Sequence, residues 1–92
     1  MSKLTQKWIK IAADQLLGKQ IIKVDYMSSQ QCEELGWYSR PVMFQLDDGN
    51  WIYPSQDDEG NNGGALFTND KKEWVLPVLS LEKEDWYEWQ GT

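Results

Sequence analysis

Asp57, Asp58, Glu59, Asn61 and Asn62 stand within six consecutive positions, and Gly60, Gly63 and Gly64 let that stretch curl. Oxygen-bearing side chains on a curling loop are the hard ligands that calcium takes. Set as an EF-hand from Asp57, the third and fifth positions are Glu59 and Asn61, which fit. The sixth is Asn62 where glycine is needed, and the twelfth is Thr68 where a bidentate Glu is needed. The stretch therefore reads first as a polar turn whose Asp and Asn residues bond their own backbone. A site for a cation or small ligand, centred on 57–62 with Arg40, is the alternative. Arg40 is the sole arginine, beside Trp37 and Tyr38 and just before Pro41. Its planar fork suits a carboxylate or other anion while stacked on an aromatic. The favoured expectation is an ion pair with Asp57, Asp58 or Glu59 that pins the loop.

Other chemistry is excluded by composition. The chain has no histidine, which removes the commonest general base, the commonest metal ligand and the His-dependent triads together. Its one cysteine, Cys32, has no base to activate it and cannot build a structural zinc site. The glycines of the loop lack the spacing and the following helix of a phosphate-binding motif. A glycosidase needs a cleft between two carboxylates, for which 92 residues leave little room. No enzyme activity, cofactor or metal is expected.

The elements that must position these residues are short. An amphipathic helix is expected over 4–17, with Trp8, Ile9, Ala12, Ala13 and Leu16 on one face and Gly18 as its stop. Residues 20–27 alternate Ile22, Val24 and Tyr26 against Lys23 and Asp25, the mark of a half-buried strand. Ser28 with Gln31 forms a capping box for a short helix over 29–35, ended by Gly36. A strand over 41–46 follows, and Asp48-Gly49 turns it into Trp51-Ile52-Tyr53. A three-residue loop with a glycine bulge sets Phe44 against Ile52 and turns Trp51 and Tyr53 outward. A two-residue loop would set Phe44 against Tyr53 instead. The bulged form keeps the aliphatic residues together and is preferred. Strands over 65–68 and 74–79 complete the set, and Pro77 bends the last or confines it to an edge.

Five short strands, a leading helix and one helical insertion predict a mainly β fold, α+β by content. It would be a five-stranded SH3-like barrel over 20–79, or a strongly bent antiparallel sheet with the N-terminal helix packed across one face. The whole chain, 1–92, is one domain with an acidic aromatic tail over 80–92. In that tail Trp86, Tyr87 and Trp89 either close the barrel's end or dock a partner.

Charge narrows the partners. Residues 1–46 carry six basic and four acidic side chains, and residues 47–92 three basic and eleven acidic, for a net of −6. A pI near 4.4 argues against a phosphate-backbone partner, so no nucleic acid is expected. Lys3, Lys7 and Lys10 read as the solvated side of the first helix. No apolar run approaches the roughly 20 residues of a membrane span, and no signal-peptide pattern opens the chain. A cytoplasmic protein without membrane contact is expected. Six Trp, four Tyr and two Phe are more than one small core readily hides. Trp51, Tyr53 and Trp37 are therefore candidate binding residues beside Asp57, Asp58, Glu59 and Asn61.

The stretches Leu17-Gly18-Lys19, Gly36-Trp37-Tyr38-Ser39-Arg40-Pro41, Leu46-Asp47-Asp48-Gly49 and Asp57-Asp58-Glu59-Gly60-Asn61-Asn62-Gly63-Gly64 together resemble a group of small, uncharacterised bacterial proteins. The likeness spans most of residues 17–79. It implies a fold type and a bacterial cytoplasm, and no site. Gly18-Lys19-x-Ile-x-x-Val is also distantly similar to the entry of PRC-barrel modules, which act as assembly domains. The expected role is a non-catalytic protein-interaction module whose partner is a basic or proline-containing segment. An edge strand such as 74–79 offers a second copy a place to pair.

Overall fold

A computed structural model of the chain describes residues 2–82. The tail residues Trp86, Tyr87 and Trp89 lie outside the described residues.

Local signals set the two helices. Helix α1 (Lys3–Leu16) begins where Ser2 Oγ accepts the Thr5 N–H at 3.1 Å, the N-cap bond that satisfies one orphan donor. It ends at Leu17, whose N–H still reaches Ala13 O. Helix α2 (Ser29–Leu35) carries both halves of its capping box, Ser28 Oγ accepting from Gln31 N and Gln31 Oε1 from Ser28 N. Gly36 closes it in the left-handed region at φ +76°, a geometry that side chains with a Cβ avoid.

Seven short strands follow among the described residues: β1 (Ile21–Tyr26), β2 (Ser39–Arg40), β3 (Val42–Leu46), β4 (Trp51–Ile52), β5 (Leu66–Phe67), β6 (Val75–Leu76) and β7 (Leu79–Ser80). All pair antiparallel, in a three-stranded sheet β1-β3-β4 and two two-stranded sheets, β2-β7 and β5-β6. The fold is thus α+β with open sheets, and the described residues contain no closed barrel. Pro77 supplies part of the reason. It divides the expected strand 74–79 into β6 and β7, which pair with different partners, because proline cannot donate to a continuing ladder.

The hairpin takes its bulged form. Phe44 lies opposite Ile52 and Gln45 opposite Trp51, and Leu46 N–H donates to Asn50 O across a loop turned by Gly49 at φ +92°. A second irregularity falls between Ile21 and Lys23, where an extra residue bends an edge strand.

Met27, Cys32 and Trp37 form the core cluster, with Met43 and Leu81 packed against it; Val42 and Leu46 are buried on the other side of β3. Met27, Cys32, Trp37, Val42 and Leu46, with the ring of Pro41, are the buried apolar side chains among the described residues. At roughly 1.5–3 kcal/mol each they leave much of the framework to polar cross-links. α1 contributes nothing to that core. None of its residues is buried, and Trp8 and Ile9 are 57% and 52% exposed. The packing of the helix across a sheet face, which the bent-sheet alternative to the barrel requires, is absent among the described residues.

Candidate functional site

The acidic loop is tied down by the one member that carries no charge and faces inward. Asn62 is 5% exposed. Its Oδ1 accepts the N–H groups of Tyr38 at 3.2 Å, Ser39 at 3.1 Å and Gly63 at 2.9 Å, while Nδ2 donates to Ser39 Oγ. Its backbone carbonyl accepts from Gln56 N and Ser55 Oγ. One side chain thus stitches the loop to the 38–39 backbone, as a strand would. The two glycines after it permit the approach. A Cβ on Gly63 would strike Ser39 O and sit 2.7 Å from Pro41 Cδ, and one on Gly64 would sit 2.7 Å from the Ser55 carbonyl.

Asp57 is engaged within the loop. Its Oδ1 accepts from the N–H groups of Glu59 and Asn61, and Oδ2 accepts from Asn61 Nδ2 at 2.9 Å. The Asn61 bonds, above all, hold its carboxyl below the usual value of 3.8, since donors favour the charged form. The loop is thus the self-bonded polar turn that its Asp and Asn residues suggest. Among the described residues no group of three Asp, Glu or Cys is placed to hold a metal ion. Asp58, Glu59 and Asn61 stand exposed at the loop's surface.

Arg40 does not pair with that loop, and here the expectation is corrected. Its Nε donates to Met27 O at 2.7 Å, and Nη1 donates to Glu82 Oε1 at 2.5 Å and to Ser80 O. The β2–β7 pairing explains the choice. Ser39 lies opposite Ser80 and Arg40 opposite Leu79, so the chain leaving β7 runs past the guanidinium. Arg40 is 9% exposed. Its fork is a cross-link between the end of β1 and the chain after β7, closed to an outside anion.

The aromatics divide by role. Trp37 is buried, not surface-exposed as a binding residue would be; its indole Nε1–H donates to Gly60 O at 2.7 Å. Tyr53 meets it edge-on, ring centres 5.9 Å apart at 66°, an arrangement the ring quadrupoles favour. Trp37 therefore supports the acidic loop with its polar end and Tyr53 with its ring. Tyr53 is 43% exposed and Trp51 37% exposed. Strand alternation puts both on one face, opposite Ile52. Lys23 Nζ lies 5.9 Å from the Trp51 ring centre, following from the row Lys23, Gln45, Trp51 across the sheet.

Of the expected site residues, the structure brings together Trp37, Tyr53 and the loop of Asp57, Asp58, Glu59 and Asn61. Trp51 stands next to Tyr53 on the hairpin, and Arg40 is engaged elsewhere. Asn62 and Lys23 were not singled out for the roles they hold. The usable signal for Asn62 is an amide followed directly by two glycines, where a neighbouring backbone can come close. Cys32 is buried, its Sγ 3.7 Å from Ser39 O, and burial pushes the thiol up from its ordinary value of 9.0. No family model, no curated protein and no solved structure matches this chain.

Proposed function

We propose that this chain is a non-catalytic protein-interaction module of the bacterial cytoplasm. Its binding surface is the Trp51–Tyr53 face of the hairpin with the exposed acids Asp58 and Glu59 nearby. The observation that carries the reading is the stack beneath that surface. Tyr53 is braced by buried Trp37, and Trp37 in turn holds Gly60 of the loop, so one aromatic anchor and the loop that carries the carboxylates share a single support. Preorganised aromatics lose little entropy on binding and are typical interface anchors. The carboxylates select a basic segment, and the flat rings suit an extended, proline-containing one. The absence of histidine from the chain is in keeping with a non-catalytic role.

The alternative, a cation or small-ligand site at 57–62 with Arg40, gains no support from the geometry, because Asp57 and Arg40 already have partners. The SH3-like barrel belongs to the same proposal. It needs further ladder bonds between the three sheets, and slow amide exchange outside the present ladders would support it.

The test is a fluorescence titration of the full chain with a panel of Lys- and Pro-containing peptides, alongside capture from a bacterial lysate. The double variant Trp51→Ala, Tyr53→Ser, checked by its thermal melt, should lose at least tenfold in affinity. A Tyr53-independent partner, or one lost only when Asp57, Asp58 and Glu59 become alanine, would move the site to the loop.

A further inference from the structure

Away from the Trp51–Tyr53 face, the described residues leave a second apolar surface exposed. On α1, Leu4, Trp8, Ile9 and Leu16 are 65%, 57%, 52% and 45% exposed. A helical projection at 100° per residue puts these on one side, with Lys3, Lys7 and Lys10 on the other. On the edge strand β1, Ile21, Ile22 and Val24 are 52%, 57% and 65% exposed. An amphipathic helix is ordinarily stabilised by burying its apolar side, since isolated helices of this length are marginal in water. Two apolar strips on one small molecule therefore call for a cover.

We propose that the cover is a second copy of this chain, α1 of each protomer lying along the exposed β1 strip of its partner. Three observations select this occupant. Lengths agree: a helix of 14 residues runs about 21 Å and a strand of six about 20 Å. Areas agree as well. With one aromatic and six aliphatic side chains about half-exposed, the helix strip and the β1 strip together offer at most roughly 800 Å² per protomer, within the share each partner brings to a standard-size interface. Charge steers the encounter between copies, although the lysines of α1 lie off the docking side. α1 carries three lysines and one aspartate, while the rest of the chain carries six basic and fourteen acidic side chains. A basic helix is drawn to an acidic body. The same acidic body would be repelled by an anionic membrane, the other surface that a basic amphipathic helix suits.

Sedimentation equilibrium of the full chain tests this. The mass should rise from 10.8 kDa to twice that as concentration increases through the micromolar range. Trp8→Glu on the helix and Val24→Lys on the strand should each stay monomeric at the highest concentration. An equimolar mixture of the two variants should regain a dimer, weaker than the parent, because it restores one intact helix-on-strand contact. Ile22→Glu replaces Val24→Lys if the latter melts early. A parent chain that stays monomeric overturns the proposal, as does a Trp8→Glu dimer of unchanged strength or a mixture that never associates. A monomer that instead pellets with phosphatidylglycerol vesicles through α1 overturns it in favour of a lipid surface.

Discussion

Around Asn62 the chain is polar and closed; along α1 it is apolar and open. The Asn62 amide holds four hydrogen bonds at 5% exposure, in a stretch with three acids and three glycines between 57 and 64. Trp8, on the clearest amphipathic helix of the chain, is 57% exposed. A buried polar atom left without a partner costs its full desolvation, so an inward-facing amide is kept only where the fold satisfies it completely. An exposed apolar face carries no such obligation within the monomer. The polar loop is therefore framework, and the apolar helix is free surface. Composition alone would have assigned them the other way round.

The most severe way to break this contrast is Gly63→Ala. The new Cβ would meet Ser39 O and the Pro41 ring, and backbone on one side with a proline ring on the other cannot step aside. Overpacking of that kind costs about 3 kcal/mol, a fall in Tm of roughly 15 °C for a domain this size. A fall under about 5 °C would show the frame to be soft. Asn62→Ala comes next. It leaves the Tyr38 and Ser39 N–H groups to find water at a part-buried site, worth about 2 kcal/mol and roughly 10 °C. Both losses are read from the thermal melt, and both belong to the closed region.

Arg40→Met removes the cross-link to Met27 O and Glu82 while keeping the stem. Since Glu82 is half-exposed and returns to water, we expect about 1 kcal/mol, with proteolysis of 55–64 unchanged. Faster cleavage there would restore the ion pair between Arg40 and the loop. A pH titration is gentler still. Asp57 is held below 3.8 by Asn61 and its neighbours. A carboxyl depressed on folding adds stability that is present above its unfolded value and is lost as pH falls through the lower folded value. The amide resonances of Glu59 and Asn61 should therefore titrate with a midpoint under 3.8, and a midpoint above it would mean that the loop does not bond itself.

What the sequence made legible follows the range of each interaction. The capping box at Ser28–Gln31, the stop at Gly36 and the bulged register of Phe44 against Ile52 are all written within ten residues of chain. The helix 29–35 was expected at its observed bounds for that reason. The hold of Asn62 on Tyr38 and Ser39 spans more than 20 residues, and Arg40 reaches Glu82 across 42. Side-chain type announces that such residues need partners without saying which. β2 escaped notice because two residues carry no periodicity. For α1 an apolar stripe specifies burial and leaves the burying surface open.

The smallest expected effect is the sharpest test of the open region. In a core, Trp→Ala costs 3–5 kcal/mol because a cavity remains. Trp8 faces solvent, so at protein concentrations low enough for monomer, Trp8→Ser should move Tm by less than about 2 °C. At high concentration the parent gains stability from association in proportion to the logarithm of protein over Kd, and the variant does not. The two melting curves should coincide when dilute and part when concentrated, which separates a surface from a core without identifying any partner. If Trp8→Ser melts many degrees lower even when dilute, α1 is docked within its own chain, and the loop and the helix are both framework.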